Sequence, residues 1–351
     1  MHSRTMPALN PLLSFTHGPK CPVGSSVLVS PGCQRDVLQA GRHLPLKYTS
    51  DQGTKAQSEA TAGWLRVDTQ GLEIVRGGNA TRLKWHCLRR QTRDPLFSAE
   101  VMQAGLALGA SMELDLRVRA DGGFVVLHDP DLEGETTGSG LIAEKSADDL
   151  RAVRMKGDSR RLIFSENLAA MLQSAHPEAL LQFDMKDDYD CIGEKGIAHL
   201  AIHFQNIAAS VIVSGASLDL IVAVKEKLPQ LKRGIDPTNK LVEIYRNQGL
   251  KAVETDLLAD MRGPTEPDTI YLHWPLILQA AKEGLDLIAL CRSEDKLVDA
   301  WTFTLKDPQN GFSDGEWRDF SVLLAMKPSQ ITTDEAPATE RAWLKRTAGR
   351  A

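Results

Sequence analysis

Residues 109–137 read GASMELDLRVRADGGFVVLHDPDLEGETT, and the rest of the chain is organised around this stretch. Two strand-like runs, Met112–Val118 and Gly123–Leu127, flank a polar Asp121-Gly122 turn. In a strand, side chains two positions apart share a face. Glu113 and Asp115 therefore project together, with Leu114 and Leu116 on the opposite side. Two carboxylates on one face repel unless a cation lies between them, and hard oxygen donors suit Mg²⁺ or Ca²⁺. The second run, Phe124-Val125-Val126-Leu127, is too apolar for an exposed strand and delivers His128-Asp129 at its end.

Working outward, strand and helix patterns alternate on both sides. Leu83–Leu88 reads as a short strand carrying His86, followed by a helix over Ser98–Leu108 with Ser98 as its N-cap. Ser146–Val153 and Ser165–Leu172 read as helices with Ser before an acidic first turn. Further strands are expected at Leu180–Met185, Ser210–Ser214, Arg233–Asp236, Thr269–His273, Leu285–Leu290, Ala300–Thr304 and Gln330–Thr333. Helical patterns fall between them, at Glu194–Ile207, Ser217–Leu228, Leu241–Gln248, Pro275–Glu283 and Trp317–Met326. Alternation of this kind predicts a parallel sheet, and its length predicts a (β/α)₈ TIM barrel over residues 81–340. An open doubly wound sheet is the alternative, but no Gly-rich dinucleotide loop follows the first strand. Residues 1–80, rich in Gly, Ser, Thr, Pro and Gln, read as an N-terminal extension, and 341–351 as a tail.

The chain has 351 residues, 42% of them hydrophobic, and a net charge of −5. That length allows one large barrel or two smaller domains. The acidic balance argues against a nucleic-acid partner, since such domains are usually basic. Five scattered cysteines, Cys21, Cys33, Cys87, Cys191 and Cys291, form no C-x-x-C pair. Reduced thiols and a cytoplasmic location are the corresponding expectation. No apolar run approaches the ~20 residues of a membrane span, so no transmembrane segment is expected. Pro7 and Pro11 interrupt the N-terminus, which reads as no secretory leader.

The central stretch resembles the signature of the glycerophosphodiester phosphodiesterase family. The shared features are Gly109-Ala110 before a strand, Glu113 and Asp115 within it, the Asp121-Gly122 turn, His128-Asp129, and Thr136-Thr137-Gly138-Ser139-Gly140. Weaker echoes extend the resemblance over residues 83–337. It implies a TIM barrel that hydrolyses a small-molecule phosphodiester with a divalent cation, Mg²⁺ or Ca²⁺. Leu181-Gln182-Phe183-Asp184-Met185-Lys186 is similar to the family's third strand motif, with Asp184 where a Glu is usual. The metal ligands implied are Glu113, Asp115 and Asp184, with Lys186 offering a point charge to the phosphate.

His86 and His128 are the acid/base pair this reading requires. Imidazole titrates near neutrality, so one ring can accept a proton while the other donates one. The family's H-R-G is His86-Cys87-Leu88 here, and its P-E-N-T is Pro95-Leu96-Phe97-Ser98. The Arg, Gly and Glu are thus replaced, and Arg89 or Arg90 is the candidate for the missing phosphate-binding guanidinium. Trp301-Thr302 resembles a W-T strand whose Trp lines the pocket for the alcohol. Thr332-Thr333-Asp334-Glu335-Ala336-Pro337 resembles a closing T-D-x-P segment with a role in barrel closure. His273-Trp274 is a further candidate contact at a strand end, whereas His176, His199 and His203 read as surface residues. The altered first loop leaves sugar phosphodiesters open as substrates, the same site run as a synthase or transferase, and a non-catalytic binding protein.

Overall fold

The structure is a computed structural model that describes residues 69–348. The expectations for residues 1–68 lie outside the described residues. Ten strands are described: β1 Glu73–Arg76, β2 Asn79–Trp85, β3 Ser111–Val118, β4 Phe124–Val126, β5 Leu180–Met185, β6 Val211–Gly215, β7 Lys232–Ile235, β8 Thr269–His273, β9 Leu297–Trp301 and β10 Gln330–Thr333. Eight of them close into a parallel barrel in the order β2-β3-β5-β6-β7-β8-β9-β10, with β10 returning to β2. The expected (β/α)₈ architecture is therefore observed. Two strands lie outside the cylinder. β1 pairs antiparallel with β2, and β4 pairs antiparallel with β3.

Local chemistry builds these elements as the sequence suggests. The helix Ala99–Leu108 starts at Ser98, whose side chain accepts from Val101 N at 3.3 Å, and ends at Gly109 with φ +77°. Such a left-handed C-cap costs glycine least. The β3–β4 turn closes through the Asp121 carboxylate, which accepts from Gly123 N at 3.1 Å. On β3, Met112, Leu114 and Leu116 are fully buried on the outward face, while Ser111, Glu113 and Asp115 take the inward one. Both faces of the strand are thus sequestered, as barrels require.

The barrel interior is unusually polar. Lys84 Nζ lies 2.6 Å from Asp299 Oδ2 and also donates to Gln182, whose amide donates to Ser214 Oγ at 2.8 Å. Thr332 donates to the other Asp299 oxygen at 2.7 Å. Above this layer Lys84 Nζ sits 4.6 Å from the centre of the Tyr271 ring. Gly234 makes room for that ring, since a Cβ there would fall 2.3 Å from Tyr271 Cε2.

Several elements differ from expectation. β2 ends at Trp85, and His86–Leu88 is a 3₁₀ turn, because the Glu113 carboxylate takes Cys87 N at 2.8 Å and draws the chain out of the sheet. Leu285–Leu290 is not a strand. Asp286 caps Ala289 N at 2.8 Å, so the apolar run begins the helix Leu287–Ser293, and the strand follows at Leu297–Trp301 rather than Ala300–Thr304. The helix Leu250–Met261, set off by Gly249 at φ +83°, was not anticipated. The last helix, Ala336–Thr347, extends past residue 340. Cys87 and Cys291 are buried free thiols. Among the described residues no helix is long and apolar enough to cross a membrane.

Candidate active site

The C-terminal ends of the barrel strands meet at one mouth, and the acidic residues of β3 and β5 meet there. Asp115 and Asp184 are register partners on adjacent parallel strands. Oxygens of Glu113, Asp115 and Asp184 all lie within 4.8 Å of one another. Glu113 and Asp115 are 5% and 2% exposed. Burial, reinforced by Asp115, pushes Glu113 up to about 8. Burial also opposes the charge on Asp115, but Lys186 and then His128 outweigh it and hold that carboxyl below its ordinary range. A shared, sequestered, all-oxygen set whose members cannot all ionise comfortably fits a hard divalent cation, which would relieve the repulsion.

Lys186 lies across this group, with Nζ 2.9 Å from Asp115 Oδ1 and 2.5 Å from Asp184 Oδ2. Burial works against its charge, yet Asp184 and Asp115 raise it well above the usual lysine range.

His86 enters from the end of β2. Its Nδ1 lies 2.9 Å from Asp334 Oδ1, which leaves Nε2 facing Glu113 Oε2 at 4.0 Å. Burial would lower this imidazole, but the Asp334 hydrogen bond and the charge of Glu113 raise it overall. Asp334 in turn accepts from Arg89 Nη2 at 2.8 Å and from Thr304 Oγ1 at 2.8 Å. These contacts, above all the His86 hydrogen bond, overcome its burial and hold it at about 2. Asp334 escaped the sequence reading, although it sits in the T-T-D-E-A-P segment read as barrel closure.

Arg89 shares Asp334 with His86, and its Nε is buried with no hydrogen-bond partner among the described residues. Arg90 is instead drawn to Asp94, 3.4 Å away. Leu88 stands where the H-R-G motif has Gly and still holds φ +55°, with Cys87 at +50° and Phe97 at +52°. The loop keeps a glycine-like path with bulkier residues, at a cost of order 1–3 kcal/mol each.

His128 reaches the mouth because β4 runs back along β3, with Val126 opposite Leu116. It is the most exposed member of the set; its Nδ1 lies 2.9 Å from Asp129 Oδ1, and its N–H donates to Glu135 Oε2 at 2.8 Å. Among the described residues no hydrogen bond or ion pair joins its side chain to the acidic group. Arg117, unmarked in the sequence reading, links the two sides by donating to His128 O at 2.8 Å and Lys186 O at 3.0 Å.

Trp301, at the end of β9, is half-buried with its ring 4.8 Å from that of His273, and its indole N–H has no partner among the described residues. Trp274 instead packs on Phe303 and donates to Thr302 O at 3.2 Å, a structural role. A further mouth carboxyl, Asp236, follows β7; burial raises it to about 6 while Thr238 N–H holds one oxygen at 2.9 Å. Its only sequence signal was its place at a strand end.

Residues 98–235 match the model of the glycerophosphoryl diester phosphodiesterase family. That stretch includes Glu113, Asp115, His128, Asp184 and Lys186 and begins after His86. No curated protein matches the chain significantly. Among solved structures, a Silicibacter pomeroyi protein assigned as a glycerophosphoryl diester phosphodiesterase aligns with a TM-score of 0.59 at 16% identity, over 76% of this chain and 94% of its own. A glycerophosphodiester phosphodiesterase from Parabacteroides distasonis aligns with a TM-score of 0.54 at 15% identity, over 77% and 99%. An Oleispira antarctica phosphodiesterase, solved in complex with the product sn-glycerol-3-phosphate, aligns with a TM-score of 0.52 at 15% identity, over 75% and 96%. At these identities the likeness is one of fold.

Proposed function

We propose that the chain, whose residues 98–235 match the glycerophosphoryl diester phosphodiesterase family model, is a member of that family and a phosphoric diester hydrolase that cleaves a glycerophosphodiester or a related sugar phosphodiester to a phosphomonoester and an alcohol. One observation carries this reading: Glu113, Asp115, Asp184, Lys186 and His86, far apart in sequence, converge at the C-terminal mouth of the barrel. In barrels of this kind that face carries the chemistry.

Glu113, Asp115 and Asp184 are the residues that would hold Mg²⁺ or Ca²⁺, which when bound neutralises charge on the phosphoryl oxygens. Lys186 and the Arg89 guanidinium bind the phosphate, Lys186 as a point charge and Arg89 through donors not used by Asp334. His86 holds the proton to be given to the leaving alkoxide, because Asp334 fixes its tautomer and favours its charged form. His128, more open to solvent, takes the proton from the attacking water. Trp301 lines the side of the mouth that receives the alcohol.

The test is turnover of glycerophosphocholine and of a chromogenic phosphodiester by the purified chain. Expected are loss of activity with EDTA, recovery with Mg²⁺ or Ca²⁺, and a fall in kcat of about 10²–10⁴-fold in His86→Ala and in His128→Ala. Turnover indifferent to EDTA and to both substitutions would refute the mechanism. Binding without turnover would leave a phosphodiester-binding protein.

A further inference from the structure

Cys87 stands where the H-R-G motif has its Arg, and it changes the donor chemistry next to the three carboxylates. Its sulfur, a His86 ring nitrogen and a Glu113 oxygen all lie within 4.8 Å of one another. The thiol is free, 8% exposed, and makes no hydrogen bond among the described residues. It is therefore a buried, unpartnered ligand atom beside two others. His86 is already arranged as metal-bound imidazoles are: a carboxylate, Asp334, takes Nδ1 at 2.9 Å, so Nε2 is the nitrogen left facing Glu113.

We propose that His86 Nε2, Cys87 Sγ and Glu113 form a site for a thiophilic divalent cation of the Zn²⁺ or Co²⁺ class, overlapping the hard-cation site at Glu113. Sulfur, imidazole and one carboxylate form a tetrahedral donor set with a fourth position open, which suits Zn²⁺. Mg²⁺ and Ca²⁺ prefer oxygen donors and have no use for the sulfur. Binding makes metal–sulfur, metal–nitrogen and metal–oxygen bonds. It releases the thiol proton to solvent, and a second proton where His86 is charged. Because Glu113 is shared and His86 is withdrawn from proton transfer, Zn²⁺ inhibits, and Mg²⁺ relieves that inhibition by competing for Glu113. Only the inhibition rests on the hydrolase reading; the site itself does not.

Cobalt titration of the metal-free full chain is the test. Wild type is expected to develop a sulfur-to-cobalt charge-transfer band in the near ultraviolet, which Zn²⁺ abolishes by displacement. Cys87→Ser is expected to lose the band, and Asp334→Asn to weaken cobalt binding by about 10–100-fold. X-ray absorption of the Zn²⁺-loaded wild type reads the same site without a variant, with one sulfur expected at about 2.3 Å. No band in wild type, a band that persists in Cys87→Ser, or a zinc shell without sulfur each overturns the proposal. These readouts need no turnover, so an inactive protein that still gives the band would refute the hydrolase reading and keep the site.

Discussion

At the scale of single residues, the contact of greatest consequence is that between His86 and Asp334. A histidine at the end of a barrel strand can serve as acid, base or ligand, and its partner decides which. Asp334 Oδ1 accepts from His86 Nδ1 and from Arg89 Nη2, so one carboxylate orients both the proposed proton donor and the proposed phosphate-binding cation. Asp334→Asn keeps the shape and removes the charge. Asp334 raises His86, so its loss lowers that pKa. Activity that requires protonated His86 falls as pH rises through this pKa. The alkaline fall in kcat should therefore move to lower pH in Asp334→Asn, with a decrease at the optimum of about 10²-fold. A pH–rate profile checks this, and an unshifted alkaline limb would assign the proton to another group. Sequence alone marked His86 and Arg89 but not the carboxylate between them, because 248 residues separate Asp334 from His86.

At the scale of elements, the β3–β4 hairpin and the helices behind it carry His128 to the mouth. Arg117 on β3 joins the carbonyls of His128 and Lys186 and also pairs with Asp187 at 2.9 Å. Arg117→Ala should lower kcat about tenfold or more by loosening both residues. Cation affinity, which the proposed function assigns to Glu113, Asp115 and Asp184, should change little, and calorimetric titration of Mg²⁺ or Ca²⁺ separates the two effects. Behind β4, His199 of the helix Tyr189–Phe204 lies 2.7 Å from Ser165 Oγ, which itself accepts from Phe124 N at 3.0 Å. Read from sequence as a surface residue, His199 in fact pins two helices to the hairpin. Burial, then His203, lowers it to about 4, with Glu166 opposing and Arg119 adding to the fall. The unfolded chain, with an ordinary histidine near 6.5, binds the proton first as pH drops. The stability this site contributes is therefore full above that value and is lost as pH falls toward 4. His199→Gln should flatten the decline by about 2 kcal/mol. Urea unfolding at stepped pH measures it, and an unchanged slope would mean the ring is not desolvated.

At the scale of the whole molecule, the barrel is held by an apolar outer face and a polar inner one. The Lys84–Asp299 ion pair crosses an interior that such folds usually fill with branched apolar residues. Breaking a buried pair from one side leaves an uncompensated charge, so Lys84→Met should cost about 3–5 kcal/mol. The double variant Lys84→Met with Asp299→Leu should recover much of that, and thermal unfolding of the three proteins decides. Alternating apolar runs separated by capped helical patterns were legible in the sequence, and with them the barrel, since period and capping are local properties. Glu113 and Asp115 were legible as a same-face pair for the same reason. What the sequence could not assign was anything set by distant partners. Leu285–Leu290 suited strand or helix until Asp286 capped it. His86 left the strand because Glu113 took the Cys87 amide. Local chemistry determined which elements this chain forms; only closure of the cylinder, which brings residues from opposite ends of the chain together, decided which side chains meet and in what ionisation state.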